Sequence, residues 1–320
     1  MPEVAFPMSS RIAAEISGAP DESSFLARLE SLKAESSPVT HRHEGNVARS
    51  VQTLALRLGA RPVAASALAR AAEYHDVGKM LVPKEVLDKP GRLDEREMEL
   101  MRGHTTSGAL ILAGCPSPLA RMASAMALYH HERWDGAGYH GLSGRSIPLP
   151  ARLLAVCDVW DALTSPDRPY KGPIPPGTAL RMMVEDDSTG RLGPGAFDPR
   201  ILRSFALDRL DRHAGEIAPG EAGAIRDALA ADRRDQGQPL PCPGSYALEL
   251  ARDPLDAASA RHLVALALGD RCKFEHLAGH PRLDGILAAI GGHGPEAAVV
   301  DRLVQGERAA KRLAGRERAA

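Results

Sequence analysis

Cysteine is scarce in this sequence, with four residues in 320 and no CxxC pair among them. Such scattered thiols do not form a disulfide framework and fit a reducing compartment. No stretch approaches the ~18 apolar residues that a membrane span needs, and the N-terminus lacks a basic start followed by an apolar core. These absences predict a cytoplasmic protein with no membrane partner.

An excess of charge of either sign is also missing. The chain has 40 Lys+Arg against 41 Asp+Glu, a formal net charge of −1, and no long basic run. Because non-specific binding to nucleic acid depends on many Lys and Arg side chains, this balance predicts no DNA partner. An anionic ligand would have to be held by a local site.

Alternating, strand-like patterns are nearly absent, whereas apolar residues at helical spacing recur through most of the chain, as at Val47, Val51 and Leu54. Asp94 and Ser117 are predicted helix starts, because a short polar side chain can accept from free backbone N–H groups. The pattern predicts an all-α fold, with helices at about 22–35, 40–59, 62–77, 94–113, 117–132, 150–164, 176–186 and 198–207.

The amino-acid composition of the chain changes after residue 208, where large apolar residues become few and glycine and proline become more frequent. We interpret residues 232–245 as a linker. The predicted organisation is an N-terminal extension over 1–38, one helical domain over 39–215 and an additional α-helical C-terminal segment over 216–320.

Histidine and aspartate residues gather near the ends of the predicted helices. In "AAEYHDVGK", His75 and Asp76 would lie about 100° apart around one helix. Gly78 would end that helix and allow Lys79 to fold back toward the pair. A His–Asp pair is common, however, and a helix C-terminus with a polar edge explains it more simply.

Each of the other candidate residues can also be explained by a structural role that requires no metal. His104 fits a hydrogen-bonded core histidine, His130 and His131 fit a solvated helix end, and Asp158 and Asp161 fit one polar helix face. Asp158, however, lies in the apolar run "LLAVCDVWDALT", where a charged carboxylate is destabilising unless it is paired or binds a metal. This position predicts a partner for Asp158.

The order and local sequence of these residues resemble the HD-GYP family, a branch of the HD metal-dependent phosphohydrolases. The resemblance spans about 40–207 and rests on "YHDVGKMLVPKEVLDKPGRL", "HTTSGALIL", "HHERWDGAGYHGLSGRSIPLPARLLAVCDVWDALTSPDRPYK" and "FDPRILRSF". It implies an all-α HD fold that carries two or three iron, manganese or similar ions. The implied activity is hydrolysis of cyclic di-GMP to pGpG or GMP.

The resemblance also implies two sets of metal ligands that share one bridging carboxylate. One metal would be bound by His43, His75, Asp76 and Asp158, and the second by Asp76, His104, His130 and His131. A mixture of imidazole and carboxylate ligands suits Fe or Mn. Two such cations would lower the pKa of a bridging water, and the resulting hydroxide would attack the phosphorus.

The resemblance assigns further residues to catalysis and to substrate binding. Besides Asp76, the implied catalytic residues are Lys79, which would contact the scissile phosphate, and Asp161, which would orient Lys79 or a ligand. The implied substrate-binding residues are Lys79, Gly138, Tyr139, Arg168 and Lys171.

Three positions depart from the family pattern. His140 replaces the proline that usually ends the signature loop, which removes a fixed φ angle and adds an imidazole. Val39 stands four residues before His43, where members with three metals have a glutamate, and valine cannot bind a metal. Pro166 is an extra residue relative to the usual spacing before Arg168. We therefore expect two metals rather than three.

Two other functions stay open at the level of sequence. The chain could bind cyclic di-GMP or a partner protein without hydrolysis, or it could hydrolyse another nucleotide or cyclic nucleotide. The candidate protein partners are a diguanylate cyclase, a response regulator and a second copy of the chain. A structural protein with incidental histidines would require all the ligand positions to match by coincidence.

Overall fold

The computed structural model describes residues 21–36, 38–115, 117–166, 172–185, 192–232 and 234. The helices are α1 (Glu22–Ser36), α2 (Pro38–Arg57), α3 (Pro62–Ala72), α4 (Lys84–Leu87), α5 (Glu95–Ala113), α6 (Pro118–Tyr129), α7 (Leu149–Thr164), α8 (Pro176–Val184), α9 (Pro199–Arg212) and α10 (Pro219–Ala231). Three short 3₁₀ segments span Val77–Leu81, Gly144–Ser146 and Pro194–Ala196. These ranges contain no strand, and the predicted all-α fold is confirmed.

Local side-chain chemistry determines where the central helices begin. The Asp94 side chain accepts from the Glu97 backbone N–H, and the Glu97 carboxylate accepts in return from the Asp94 N–H, which forms a capping box at α5. Ser117 accepts from the backbone N–H of Ala120 at the start of α6. Both predicted helix starts are confirmed.

The predicted helix over 62–77 is wrong at its C-terminal end, because α3 ends at Ala72. The N–H groups of Tyr74 and His75 bond to carbonyls only three residues back, and the chain then enters the first 3₁₀ segment. His75 and Asp76 therefore lie in a turn, and they do not project from one helix as predicted. Gly78 lies inside the 3₁₀ segment and does not end α3.

A continuous apolar core runs through the described helices from α1 to α10. Val47, Val51 and Leu54 of α2 are buried in it, as their spacing predicts. The core also takes in Leu29 from α1 and Ile225 from α10. Helix α10 lies in the segment 216–320 that was predicted to be α-helical, but its bounds were not predicted. The proposed domain boundaries near residues 38 and 215 stay predictions.

Neighbouring helices bring the polar candidates together. Helix α2 packs on α3 and α7, and α5 packs on α6 and on the 3₁₀ segment Val77–Leu81. Residue 233 and all residues from 235 onward lie outside the described residues, and they include most of the predicted linker and of the predicted C-terminal segment. In the part of the chain that the structure describes, no helix is long and apolar enough to cross a membrane.

Candidate metal centre

Polar side chains from five parts of the fold meet in one centre. They are His43 on α2, His75 and Asp76 in the turn after α3, His104 on α5, His130 and His131 after α6, and Asp158 on α7. Most of them are buried, whereas His43 and His131 are partly exposed. The structure thus brings together all the residues that were predicted as metal ligands.

Their donor atoms form three overlapping groups, each with its members' ligand atoms within 4.8 Å of one another. The groups are His43, His75 and Asp158; His104, His130 and His131; and His75, Asp76 and His130. The first two groups follow the division between two metals that the resemblance implies. The third group overlaps both of the others and contains Asp76, the predicted bridging ligand.

The first group is organised around Asp158. Its Oδ1 atom lies 3.0 Å from His43 Nε2 and 3.8 Å from His75 Nε2. On the other side of the His43 ring, Nδ1 lies 2.7 Å from Asp161 Oδ2. Asp161 therefore orients His43, which leaves His43 Nε2 directed at the centre.

Asp76 lies between the two groups. Its Oδ2 atom is 3.4 Å from His75 Nε2, and its Oδ1 atom is 3.4 Å from His104 Nε2 and 3.8 Å from His130 Nε2. Lys79 folds back as predicted, with Nζ 2.5 Å from Asp76 Oδ2. Imidazole nitrogens therefore lie beside both oxygens of Asp76, and a carboxylate in that position is suited to bridging two cations.

Backbone carbonyls set the tautomers of three histidines. His75 Nδ1 lies 2.8 Å from the Ala72 carbonyl oxygen, and His104 Nδ1 lies 2.6 Å from the Met101 carbonyl oxygen. His130 Nδ1 lies 2.9 Å from the Ala127 carbonyl oxygen. Because a carbonyl can only accept, each Nδ1 carries the proton and each Nε2 presents a lone pair.

These lone pairs face one another without protons between them. His104 Nε2 and His130 Nε2 are 3.4 Å apart, and two acceptors at that distance cannot form a hydrogen bond in this tautomer. His75 Nε2 and Asp76 Oδ1 are buried and lack a hydrogen-bond partner. Since buried polar atoms without partners are destabilising, the donor set fits bound divalent cations.

Burial keeps the inner histidines neutral. It lowers the pKa of His75 to about 4 and that of His104 to about 3, and it holds the pKa of His131 well below its ordinary value. Neutral imidazole is the form that binds a metal. These rings are therefore ready to act as ligands at neutral pH.

In contrast to the inner histidines, Asp76, Asp158 and His43 are held in their charged forms. Burial disfavours ionisation of Asp76, but Lys79 and the neighbouring histidines outweigh it and hold the Asp76 pKa well below its usual range. The pKa of Asp158 is lowered in the same way, mainly by its hydrogen bond to His43. Burial opposes protonation of His43, yet hydrogen bonds to Asp158 and Asp161 raise its pKa to about 10.

A glycine contact sets the position of the turn that carries His75 and Asp76. A Cβ atom on Gly78 would overlap the carbonyl oxygen of His104 and the backbone nitrogen of Gly108. Without side chains at these two glycines, the 3₁₀ segment lies directly against α5. This close approach places Asp76 beside His104.

The glycine-rich loop after His131 is held by a buried carboxylate. Glu132 accepts from the backbone N–H of His140 at 2.7 Å and from that of Leu142 at 2.6 Å. Burial raises the pKa of Glu132, and these N–H donors oppose the rise. Gly138 packs so closely on the Glu132 backbone that a Cβ atom would overlap it.

The next two loop residues face α5 and the metal ligands. The Tyr139 ring lies 4.7 Å from that of His131, measured between centroids. His140 Nε2 lies 3.3 Å from Thr105 Oγ1, and the Thr105 hydroxyl itself donates to the Arg102 carbonyl. His140 is therefore the donor to Thr105, and this contact ties the loop to α5.

A protein-family model described as HD domain matches residues 27–195, which is more than half of the 320 residues. The chain belongs to the HD domain family.

Characterised relatives of this HD domain are phosphodiesterases by name. A cyclic di-GMP phosphodiesterase of Thermotoga maritima is 39% identical over 167 residues, which are 52% of this chain and 44% of that protein. A cyclic di-GMP phosphodiesterase of Pseudomonas aeruginosa is 46% identical over 132 residues, which are 41% and 30% of the two chains. A 3'3'-cGAMP-specific phosphodiesterase of Vibrio cholerae is 37% identical over 169 residues, which are 52% and 38%.

These similarities confirm the resemblance to the HD-GYP phosphodiesterases that the motifs indicate. The chain spans less than half the length of each of these three relatives. The similarity therefore concerns the HD domain that the proteins share.

Two predicted substrate-binding residues of the HD domain, Arg168 and Lys171, lie outside the described residues. Val39 lies on α2, one turn before His43. The roles assigned to these positions, and the preference for two metals over three, stay predictions.

Sequence reasoning missed Glu132 and the role of Gly78 in the HD domain. Glu132 directly follows the two histidines and precedes a segment rich in glycine, and such turns expose backbone N–H groups that a carboxylate can bind. That juxtaposition was the available signal. For Gly78 there was none, because its partner is a backbone carbonyl on another helix.

Proposed function

We propose that this chain is a metal-dependent phosphodiesterase that hydrolyses cyclic di-GMP to pGpG, to GMP or to both. The observation that carries the proposal is the buried cluster of histidine and aspartate donors, in which lone pairs face one another across distances that suit bound cations. Two of the relatives above are named cyclic di-GMP phosphodiesterases, which supports this substrate.

Two divalent cations, Fe or Mn, would be held by the seven donors, with Asp76 shared between them. When bound, such ions supply a nucleophilic water at neutral pH and neutralise the charge that develops on phosphate oxygens. The near-zero net charge of the chain is compatible with this chemistry, because a phosphodiester is attracted by a local concentration of cations.

The residues around the ligands have separate tasks in this proposal. The carbonyls behind His75, His104 and His130 hold the rings, so that the ligand atoms do not need to reorganise. Asp161 holds His43 in the same way. Lys79 neutralises Asp76 and keeps 28% of its side chain exposed, so its ammonium is available to a phosphate oxygen.

The glycine-rich loop would form the substrate side of the centre. Tyr139 packs on His131 and offers an aromatic surface next to a ligand, which suits stacking on a nucleobase. Glu132 holds the loop backbone in place. Arg168 and Lys171 are proposed to bind substrate phosphate.

A second candidate substrate is 3'3'-cGAMP, which differs from cyclic di-GMP in one base. One relative is named for that substrate, and its identity of 37% is close to the values for the cyclic di-GMP enzymes. The alternative without catalysis is that the chain binds cyclic di-GMP or a partner protein and hydrolyses nothing. A diguanylate cyclase, a response regulator or a second copy of the chain are the protein partners that we propose.

The deciding experiment combines metal analysis with product analysis. Protein loaded with Mn or Fe is incubated with cyclic di-GMP and, separately, with 3'3'-cGAMP, and products are separated by chromatography. We expect turnover by the native protein and none by His75→Ala or Asp76→Ala. His213→Ala is the matched control, because His213 pairs with Glu216 away from the centre. Full metal occupancy with both substrates unchanged would refute the proposal.

A further inference from the structure

An arginine that the metal chemistry leaves unused lies at the edge of the centre. Arg102 precedes His104 by two residues on α5, and its side chain is exposed. Its Cζ atom lies 5.3 Å from the centroid of the Tyr139 ring, which in turn lies 4.7 Å from the ring of His131. One aromatic ring therefore separates this guanidinium from a predicted metal ligand.

The donors of Arg102 are available to a ligand. Among the described residues no carboxylate forms an ion pair with it, whereas Arg133 and Arg152 pair with Asp135 and Asp198. Lys79, by contrast, forms an ion pair with Asp76 and is the residue proposed above to contact the scissile phosphate.

The position of Arg102 is set by its surroundings. Its backbone carbonyl accepts from the Thr105 hydroxyl at 3.0 Å, and Thr105 is also the contact of His140. The same loop therefore touches α5 at two successive points, through Tyr139 on Arg102 and His140 on Thr105. A planar guanidinium stacked on an aromatic ring loses little further freedom when it binds a ligand.

We propose that Arg102 binds the phosphodiester of the cyclic dinucleotide that is not being cleaved. This inference rests on the proposed function and adds a substrate-binding residue to it. A cyclic dinucleotide has two phosphodiesters in one ring, so the second one lies close to the centre when the first one is at the metals. Arginine suits that group, because its forked N–H donors match two phosphate oxygens.

The test compares Arg102→Ala with Arg96→Ala, an exposed arginine on the same helix. We expect Arg102→Ala to raise KM for cyclic di-GMP about 10- to 100-fold, the value of one charge-assisted contact, with kcat little changed. Arg96→Ala should behave as the native protein does, and Arg102→Lys should recover part of the loss. Bis(p-nitrophenyl) phosphate has a single phosphodiester, so its hydrolysis should be insensitive to Arg102→Ala.

Three kinetic results would overturn the inference. The first is an equal effect of Arg102→Ala on both substrates, and the second is no difference between Arg102→Ala and Arg96→Ala. The third is a penalty that disappears with the 7-deaza analogue of cyclic di-GMP, since Arg102 would then contact the guanine edge and not the phosphate.

A second readout separates this inference from the proposed function. Binding of a non-hydrolysable phosphorothioate analogue of cyclic di-GMP is measured by calorimetry on the same proteins. If the native chain binds the analogue but does not hydrolyse cyclic di-GMP, only the proposed function fails, and a 10- to 100-fold weaker Kd for Arg102→Ala still supports the inference. If native protein and variant bind equally well, the inference is overturned.

Discussion

Two buried polar clusters adjoin the turn at residues 73–76, and they differ in which groups face one another. In the first, Lys33 Nζ lies 2.6 Å from the Glu73 carbonyl oxygen, 3.0 Å from Glu44 Oε2 and 3.5 Å from Glu30 Oε1, and it also lies over the Tyr74 ring. A buried ammonium therefore lies among carboxylates and a carbonyl, although Glu44 Oε2 and Tyr74 Oη have no hydrogen-bond partner among the described residues.

In the second cluster, the metal centre, acceptors face acceptors. His104 Nε2 and His130 Nε2 present lone pairs to each other, and Asp76 Oδ1 has no hydrogen-bond partner. Lys33 is 5% exposed and Asp76 is 3% exposed, so burial does not distinguish the clusters. The groups that face one another do. An ammonium faces carboxylates in the first cluster, which is a structural ion pair, whereas imidazole nitrogens face one another in the second, which suits a ligand site.

The largest effect is expected from changing Asp76, the predicted bridging carboxylate of the candidate metal centre. Asp76→Asn keeps the shape of the side chain but loses its charge, so we expect turnover of cyclic di-GMP to fall at least about 10³-fold. Metal content measured on the same sample should fall with it. Normal turnover with a full metal complement would show that Asp76 does not bridge.

The matched change in the Lys33 cluster should lower the stability of the fold and leave turnover unchanged. Lys33→Ala leaves Glu44 buried without its cation, so we expect a loss of about 3–5 kcal/mol in the free energy of unfolding. Chemical denaturation measures it. The double variant Lys33→Met with Glu44→Leu should recover most of that loss, since it removes both charges together. A double variant as unstable as the single one would contradict the description of this cluster as a simple ion pair.

Removal of metal should distinguish the two clusters again. A metal that binds only the folded chain adds about 2.7 kcal/mol when its free concentration is one hundred times Kd. We therefore expect a chelator to lower the unfolding free energy of the native protein and of the Lys33→Met, Glu44→Leu variant by similar amounts. Asp76→Asn should respond less. An equal response in all three proteins would mean that the metal binds elsewhere.

The smallest effect is expected from changing Asp161, which contacts the predicted ligand His43. Asp161→Asn can still accept from His43 Nδ1 but loses its charge, so we expect metal affinity to fall by about 10- to 100-fold. Competition with a chromogenic chelator measures it. Asp208→Asn is the control, since Asp208 pairs with Arg57 and Arg212 outside the centre. No difference between these variants would leave Asp161 without a role in orienting His43.

Parts of the fold and of the centre that depend on neighbouring residues were predictable. Asp94 and Ser117 start their helices through hydrogen bonds within the first turn, so the local sequence contains the whole cause. The seven donor positions were also recognisable, because their spacing and flanking residues follow the HD-GYP pattern.

Features that depend on contacts between distant segments were not predictable. The end of α3 was placed too late, because the turn after Ala72 depends on a close approach of Gly78 to α5. Glu132 was missed because its ligands are backbone N–H groups of the following loop. The position of Arg102 depends on Tyr139, which comes from that loop.

The amino-acid order alone therefore predicted the all-α fold, which the structure confirms, and the donor residues that the structure brings together. Hydrophobic periodicity and side-chain type can be recognised from a few neighbouring residues, so they do not require knowledge of the fold. The distances between Nε2 atoms, the fixed tautomers and the placement of Asp76 between two groups came from packing α2, α5, α6 and α7 around the turn. The tautomers depend on backbone carbonyls, which every residue has, and no sequence pattern records which carbonyl a histidine ring will contact.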